Sequence, residues 1–472
     1  MTDVAVSGLS IAEARREIVE GRLSPVALTR AYLDRIAAGD ETHNVYRTVT
    51  AELALEQAGH IEDAARRGDP VGPLAGIPVA LKDNIDVAGV PMTAGTPYLA
   101  GNVARHDAPV WDRMRDAGAV LLGKLHMSEW AIGGTTQNAH FGPCRNSWDP
   151  ERVSGGSSGG SGVAVGTDMA LVTLGTDTGG SIRIPSALNG VCGLRGTAGR
   201  VSNRGCVPVA WTFDTIGPMS RRAEDVARVL GVIAGYDPLD PVSADVPVDD
   251  YAGAPEHGAD GLRIGMLTGW WQDDPDPAVA LLVREAAETF ERLGAEVVEV
   301  SLDGHAEALE WTAELLLAEA AFFHADRLRD EPEVFAPDVV ARLHRGASIT
   351  GPHYGRGRQE QRAWRRRVLQ ALDGCDMLLA PACGLPAPLI EESDPLAMTG
   401  RLARFISMWV LSRSPVLAVP CGFTSGLPVG MQLVGHPFGE AALLRAAHAY
   451  QQATDWHLRR PEHAWARGAE TT

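Results

Sequence analysis

Lys82 is one of only two lysines among the 42 basic residues of this 472-residue chain, and it ends the apolar run GIPVALK. A lysine carried on a buried strand is disfavoured as an ammonium, so its pKa falls and a neutral amine becomes available near pH 7. Arginine, the other cation here, cannot lose its proton. Downstream lie two glycine-flanked serine clusters, SGGSSGGS from Ser154 to Ser161 and GTDTGGS from Gly175 to Ser181. A serine hydroxyl is a weak nucleophile until a neighbour takes its proton, and lysine can be that neighbour. With two clusters, one hydroxyl can relay the proton while the other attacks. The turn over Thr178, Gly179, Gly180 and Ser181 would aim successive amides at an oxyanion, because glycine allows the backbone to turn that way.

Other readings of the same text are weaker. A flexible linker would separate unrelated segments, whereas the first cluster leads straight into apolar strand text and a second glycine turn. A phosphate-cradling loop needs a lysine after its glycines, and both lysines lie upstream. Gly155, Ser157 and Gly159 satisfy G-x-S-x-G, but loop text precedes them where a nucleophile elbow needs a strand. The downstream histidines, His305, His324, His344, His353 and His436, have no context that marks a catalytic base.

The elements that must position these residues read as α/β. Ser10 with Glu13 forms a capping box, and Ser24 with Pro25 opens a second helix. Strand text ends at Lys82, at Leu122 just before Lys124, and between the serine clusters from Met169 to Leu174. LRIGML, a helix from Pro277 to Leu293 and AEVVEV form a strand, helix, strand unit expected to be parallel. A helical region from about His305 to Leu372 follows, then the strands MLLAPA, VLAVPCG and GLPVGMQLVG and a closing helix. The acidic, proline-rich stretch from Tyr236 to Asp260 is either a linker or a surface excursion. The expected organisation is one unit over 1–472, with N-terminal helices at about 8–60, a core at about 70–235 and a C-terminal α/β portion at about 261–460.

Composition excludes several classes. No apolar run reaches the roughly 20 residues that span a bilayer, and a net charge of −18 disfavours nucleic acid and anionic membranes as partners. The six cysteines are scattered without metal-ligand spacing, as in a protein of the reducing cytoplasm.

ALKDNID around Lys82, GGSSGGS around Ser157 and GTDTGGSIRIPSALNGVCGL around Ser181 together resemble the amidase signature family. The similarity extends to LLGKLHMSEWAIGGTTQN, NSWDPERVSGG, DTIGPMSR, MLLAPACGLPAP and GLPVGMQLVG. It implies a large mixed, mostly parallel twisted sheet covered by helices on both faces. It also implies a triad of Lys82 as base, Ser157 as relay after a cis peptide from Gly156, and Ser181 as acyl-forming nucleophile. Thr178, Gly179, Gly180 and Ser181 would supply the oxyanion amides, and Trp130, Ala131 and Ile132 would line the acyl pocket. Asp177 and Arg183 would hold the nucleophile turn. Ser158 and Ser161 would donate to Ser157 or cap a helix, and Lys124 would be structural. Neither metal nor organic cofactor enters this cycle.

The expected substrate is a small amide, with anilides, hydrazides and carbamates as variants, and the protein would act alone or as a homodimer. The alternative is the glutamine-hydrolysing subunit of an amidotransferase complex. Departures from the family's text weigh against that alternative: GLRGTAGRVS alters Arg195, Gly196 and Ala198, Val410 replaces a common asparagine, and RLARFISMW lacks the acidic residue that glutamine-using members employ.

Overall fold

The computed structural model describes residues 7–462; the extreme ends of the expected 1–472 unit lie outside them. At the N-terminal end the capping box forms as expected. Ser10 Oγ accepts the Glu13 amide and the Glu13 carboxylate accepts the Ser10 amide, starting the helix Ile11–Val19. Ser24 and Pro25 start the next helix, Pro25–His43.

The centre is one sheet of eleven strands. In chain order these are β1 (Tyr46–Val49), β2 (Pro78–Lys82), β3 (Val120–Leu125), β4 (Val172–Asp177), β5 (Cys192–Arg195) and β6 (Thr215–Ser220). They continue as β7 (Arg263–Leu267), β8 (Glu296–Val300), β9 (Met377–Pro381), β10 (Val416–Thr424) and β11 (Leu427–Gly435). Their spatial order is β1-β3-β2-β4-β6-β5-β10-β11-β9-β7-β8. The sheet is mixed, as expected, but parallel pairing is the smaller share. It joins β3 to β2, β2 to β4, β9 to β7 and β7 to β8, while every other junction is antiparallel. Of the antiparallel junctions only β10–β11 is a tight hairpin, in which a two-residue connection requires antiparallel pairing; the others join strands distant in the chain. Strands β2, β3, β4 and β6 are buried along their whole length; β2 and β3 are mainly apolar, as suits a strand covered on both faces, whereas β4 and β6 carry threonine, serine and aspartate into the interior.

The helical stretch read from His305 to Leu372 is broken into four helices, His305–Phe323, Ala325–Asp330, Pro337–Ala347 and Gly351–Ala371. Prolines at 332, 337 and 352 fit the breaks, since proline is tolerated in a first helical turn and not inside. The stretch from Tyr236 to Asp260 is a surface excursion tied back onto the body: Arg200 donates to the carbonyls of Val246 and Pro247, and the Ala244 amide donates to Gly199. Among the described residues no helix is long and apolar enough to cross a membrane.

The helix Gly159–Gly166 connects the first serine cluster to the sheet. Its glycines permit close approach. A Cβ on Gly160 would stand 2.6 Å from the carbonyl oxygen of His126 and 2.8 Å from that of Val45, both backbone atoms that cannot swing aside. Gly160→Ala is therefore expected to lower unfolding stability by about 1–3 kcal/mol, as measured by urea denaturation.

Candidate active site

Lys82 is the last residue of β2, and its side chain is fully buried. Its Nζ donates to Ser157 Oγ at 2.7 Å and to Thr176 Oγ1 at 2.8 Å. Among the described residues no carboxylate is in contact with it. Burial pushes its pKa from 10.5 down to about 7, against the pull of the more distant Cys206, Asp214 and Asp177. Lys124, in the neighbouring strand β3, is equally buried but reaches Asp83 Oδ1 at 3.1 Å. Asp83 is itself held by the amide and hydroxyl of Thr93. The two lysines are thus separated by function: Lys124 is a structural ion pair, as expected, and Lys82 is an amine with only hydroxyls for company.

The Gly156–Ser157 peptide is cis. The Ser157 carbonyl accepts the Ser128 amide at 3.1 Å, and the Ser158 amide donates to the Ser181 carbonyl at 3.2 Å, so the two serine clusters lie side by side. Ser158 takes neither of the roles expected of it. Its hydroxyl donates to the Thr176 carbonyl and accepts the Thr176 amide, and Ser161 donates to the Leu174 carbonyl. Both fasten the cluster to the edge of β4, and the helix Gly159–Gly166 has no side-chain cap. None of the histidines considered from the sequence hydrogen-bonds Ser157 or Ser181; His324 packs against Trp130, and His436 binds the Cys375 carbonyl.

The turn carrying Ser181 is built on Asp177. Its carboxylate accepts the amides of Gly180 (2.9 Å) and Ile182 (3.2 Å) and two bonds from Arg183 (2.9 and 3.0 Å). Arg195 adds a further contact to Oδ1 at 3.2 Å and bonds the Asp177 carbonyl. Burial alone would raise this carboxyl, but the two guanidinium groups hold it well below the usual carboxylate range. The expected role of Asp177 and Arg183 is therefore seen, and Arg195 joins them. One expectation changes: the Gly180 amide is spent on Asp177 and is not free for an oxyanion. Among the described residues the amides of Thr178, Gly179 and Ser181 donate to no protein acceptor, so of the four amides expected to face an oxyanion only that of Gly180 is committed elsewhere. Gly180 has a φ of +128°, and a Cβ there would stand 2.5 Å from Ile406, so the turn requires glycine at that point.

Ser181 opens onto a cleft of about 580 Å³ with Thr178 and Gly179 beside it. Apolar walls come from Ile132, Val209, Leu309, Leu316 and Leu317. Ala131 and Ile132 line the cleft as expected, but Trp130 does not. Consecutive left-handed residues at Trp130 (φ 51°) and Ala131 (φ 60°) turn the indole into the core, 4.7 Å from the His324 ring. The helices His305–Phe323 and Pro337–Ala347 form much of the cleft, a role their amphipathic text did not announce.

Sequence reasoning also passed over Thr176, which receives the second Lys82 bond, and Asp214. Asp214 accepts the Thr178 hydroxyl and the amides of Val209 (3.0 Å) and Ala210 (3.2 Å). It ties the Thr178–Ser181 turn to the segment that carries Val209 into the cleft. Burial raises its pKa to about 6, with those hydrogen bonds opposing the rise. Its position in DTIGPMSR was the one available signal.

The eleven-stranded mixed sheet, flanked by helices and carrying the serine clusters at the ends of its central strands, is the fold of the amidase-signature enzymes. A solved structure with a TM-score of 0.90 and 34% identity covers 96% of this chain and 100% of its own; it is described as a vestigial protein complex that bears on the origins of an s-triazine catabolic enzyme. The native peptide amidase of Stenotrophomonas maltophilia superposes with a TM-score of 0.86 at 34% identity, covering 97% and 98% of the two chains. The pattern of the Amidase family matches residues 27–444, and the chain belongs to that family. Among curated relatives, a glutamyl-tRNA(Gln) amidotransferase subunit of Moorella thermoacetica is 41% identical over 466 residues, 93% of this chain and 95% of that protein.

Two outcomes follow from this geometry. The rate of Ser181 acylation should rise with pH to a plateau, with a midpoint of about 7, because only the deprotonated Lys82 accepts a proton; Lys82→Arg should lower that rate by about 10²–10⁴-fold. Asp214→Asn should reduce kcat/KM by about tenfold or more and, by removing a negative charge that raises the Lys82 pKa, move the midpoint to lower pH; a stopped-flow pH profile of the two proteins reads both effects.

Proposed function

We propose that the protein hydrolyses carboxamide C–N bonds through a Ser181 acyl-enzyme. The observation that supports this most is a fully buried Lys82 amine, without a counter-ion, 2.7 Å from Ser157 Oγ beside the Ser181 turn. In this reading neutral Lys82 takes the Ser157 proton as Ser157 takes the Ser181 proton, and Ser181 Oγ attacks the amide carbonyl. The amides of Thr178, Gly179 and Ser181 are the donors available to the oxyanion. As the tetrahedral intermediate collapses, Ser157 passes its proton to the departing nitrogen, which leaves as ammonia or an amine. Water, deprotonated through the same relay, then releases the carboxylate and restores Ser181.

The acyl group is an apolar one, on the chemistry of the cleft. Among the described residues its charged lining is Arg342, Arg345 and Arg404, with no carboxylate to meet a substrate ammonium. The Arg401–Trp409 segment, where glutamine-using members carry an acid, contributes Ala403, Arg404 and Ser407 to this lining. This supports a freestanding hydrolase of alkyl or aryl amides, working in the cytoplasm, with anilides, hydrazides and carbamates as variants.

The second reading, a glutamine-hydrolysing subunit that hands ammonia to a partner protein, has the support of the relatives' names, more than the first reading has. The 41% identical Moorella protein belongs to an amidotransferase, and the structural relative of highest TM-score above is described as part of a complex. Both readings share the Ser181 chemistry and differ in substrate and partner.

The purified chain should take up a fluorophosphonate label at Ser181, and Ser181→Ala should take up none. It should also release ammonia or amine from apolar amides without any other protein. Release from glutamine alone, and only with an amidotransferase partner present, would establish the second reading in place of the first.

A further inference from the structure

The wall of the cleft and the Ser181 turn are both tied to a buried acid that the acyl-enzyme cycle does not use. Glu319, on the helix His305–Phe323, is only 2% exposed. Its carboxylate accepts the Thr212 amide at 3.1 Å, the Thr212 hydroxyl at 2.6 Å and the Tyr354 hydroxyl at 2.8 Å, and Arg358 stands 3.8 Å away. Arg358 also donates to Thr212 Oγ1 at 3.1 Å. Three pieces of chain are thus joined at one point: the cleft-wall helix, the helix Gly351–Ala371 and residues 209–214.

A buried carboxylate adds little stability, because the cost of taking it out of water offsets most of what its hydrogen bonds return. What it supplies is direction. Glu319 lies three residues beyond Leu316, so the two share one side of the helix, and Leu316 lines the cleft. A Cβ placed on Gly179 would stand 3.2 Å from Leu316 Cδ1, which puts that leucine beside the turn that carries the nucleophile. Two residues after Thr212, Asp214 accepts the Thr178 hydroxyl from the same turn. The turn is therefore met directly by Leu316 and reached a second time through Thr212 and Asp214. An acid that fixes the rotation of this helix also fixes the wall against which an acyl chain packs.

We propose that Glu319, acting through Thr212, is a positioning residue for the acyl wall. It sets the rotation of the helix His305–Phe323 so that Leu316 stands beside Gly179, and the preference for long apolar acyl groups depends on that placement. The proposal rests on the Ser181 acyl-enzyme reading and gives its apolar specificity a structural origin. Glu319 bonds none of Lys82, Ser157 and Ser181. Its loss should weaken the hold on the acyl chain and leave the attack by Ser181 in place.

The test uses alkyl fluorophosphonates with ethyl, butyl or octyl on phosphorus, which place the alkyl chain in the acyl site whatever the natural amide is. Ser181 Oγ bonds to phosphorus, fluoride leaves, and the serine proton passes to the Ser157 and Lys82 relay. In the wild type kinact/KI should rise by about tenfold or more from ethyl to octyl. Glu319→Gln and Thr212→Val should each lower that octyl-to-ethyl ratio by about fivefold or more, through KI, with kinact for the ethyl probe within about twofold of wild type. Thr212→Ser keeps the hydroxyl and should keep the ratio. Combining Glu319→Gln with Thr212→Val should cost no more than the stronger single change, because both act through one contact. Taking the ratio within each variant cancels any loss of folded protein. A ratio unchanged in either variant, an equal loss at every chain length, or a wild type without chain-length preference would overturn the positioning role and leave the acyl-enzyme reading standing. No labelling of Ser181 by any of the probes would overturn that reading and the proposal with it.

Discussion

The site depends on an ammonium that the fold refuses to stabilise. Lys82 sits at the end of a fully buried strand with no carboxylate among the described residues in hydrogen-bond contact, so desolvation outweighs the pull of the more distant Asp214 and Asp177. The sheet demonstrates the alternative one strand away, where Lys124 is buried to the same degree and is kept as an ion pair by Asp83. Moving an acid from one lysine to the other would convert the base into a structural cation. What lowers the Lys82 pKa is therefore as much the exclusion of acids from direct contact as its own burial, and its two hydroxyl partners, Ser157 and Thr176, bond the amine without fixing a charge on it.

Around that amine the fold uses charge freely, but always paired. Asp177 carries two guanidinium groups and two backbone amides and thereby sets the shape of the Ser181 turn. Arg195 extends this assembly by bonding the Phe213 carbonyl at 2.7 Å, next to Asp214, which in turn holds Thr178. The Ser181 turn and the Val209 wall of the cleft are thus two ends of one hydrogen-bonded unit that runs between β4 and β6. Gly160, in the helix Gly159–Gly166, lets the first serine cluster approach the backbone of His126 and Val45, while Ser158 and Ser161 bond the backbone of β4.

Much of this was legible in the chain. The glycine-serine text, the lysine at a strand end and the alternation of strands and helices lead to the right fold and bring Lys82, Ser157 and the Ser181 turn together. The parts that were not legible have a common physical cause, which is that they depend on where a side chain or amide is already committed. Gly180 looks like an oxyanion donor until Asp177 claims its amide. Trp130 looks like a pocket residue until two left-handed backbone positions turn it inward. Ser158 looks like a relay partner and instead anchors to Thr176. Thr176 within β4 and Asp214 just before β6 are short polar residues in ordinary text, and only the three-dimensional register reveals their partners. The share of parallel pairing was overestimated because the alternation of strands and helices does not reveal in which direction a strand joins the sheet after a long connection.

The scarcity of lysine offers the most direct measurement of the central claim. A protein labelled with 13C at lysine Cε would give two resonances, from Lys82 and Lys124, and their pH titration can be followed by NMR and assigned with Lys124→Arg. The account predicts that Lys82 titrates with a midpoint of about 7 while the fold remains intact. A Lys82 midpoint near the ordinary value of 10.5 would contradict it, because the amine would then be a charged structural group and the Ser157 relay would have no base.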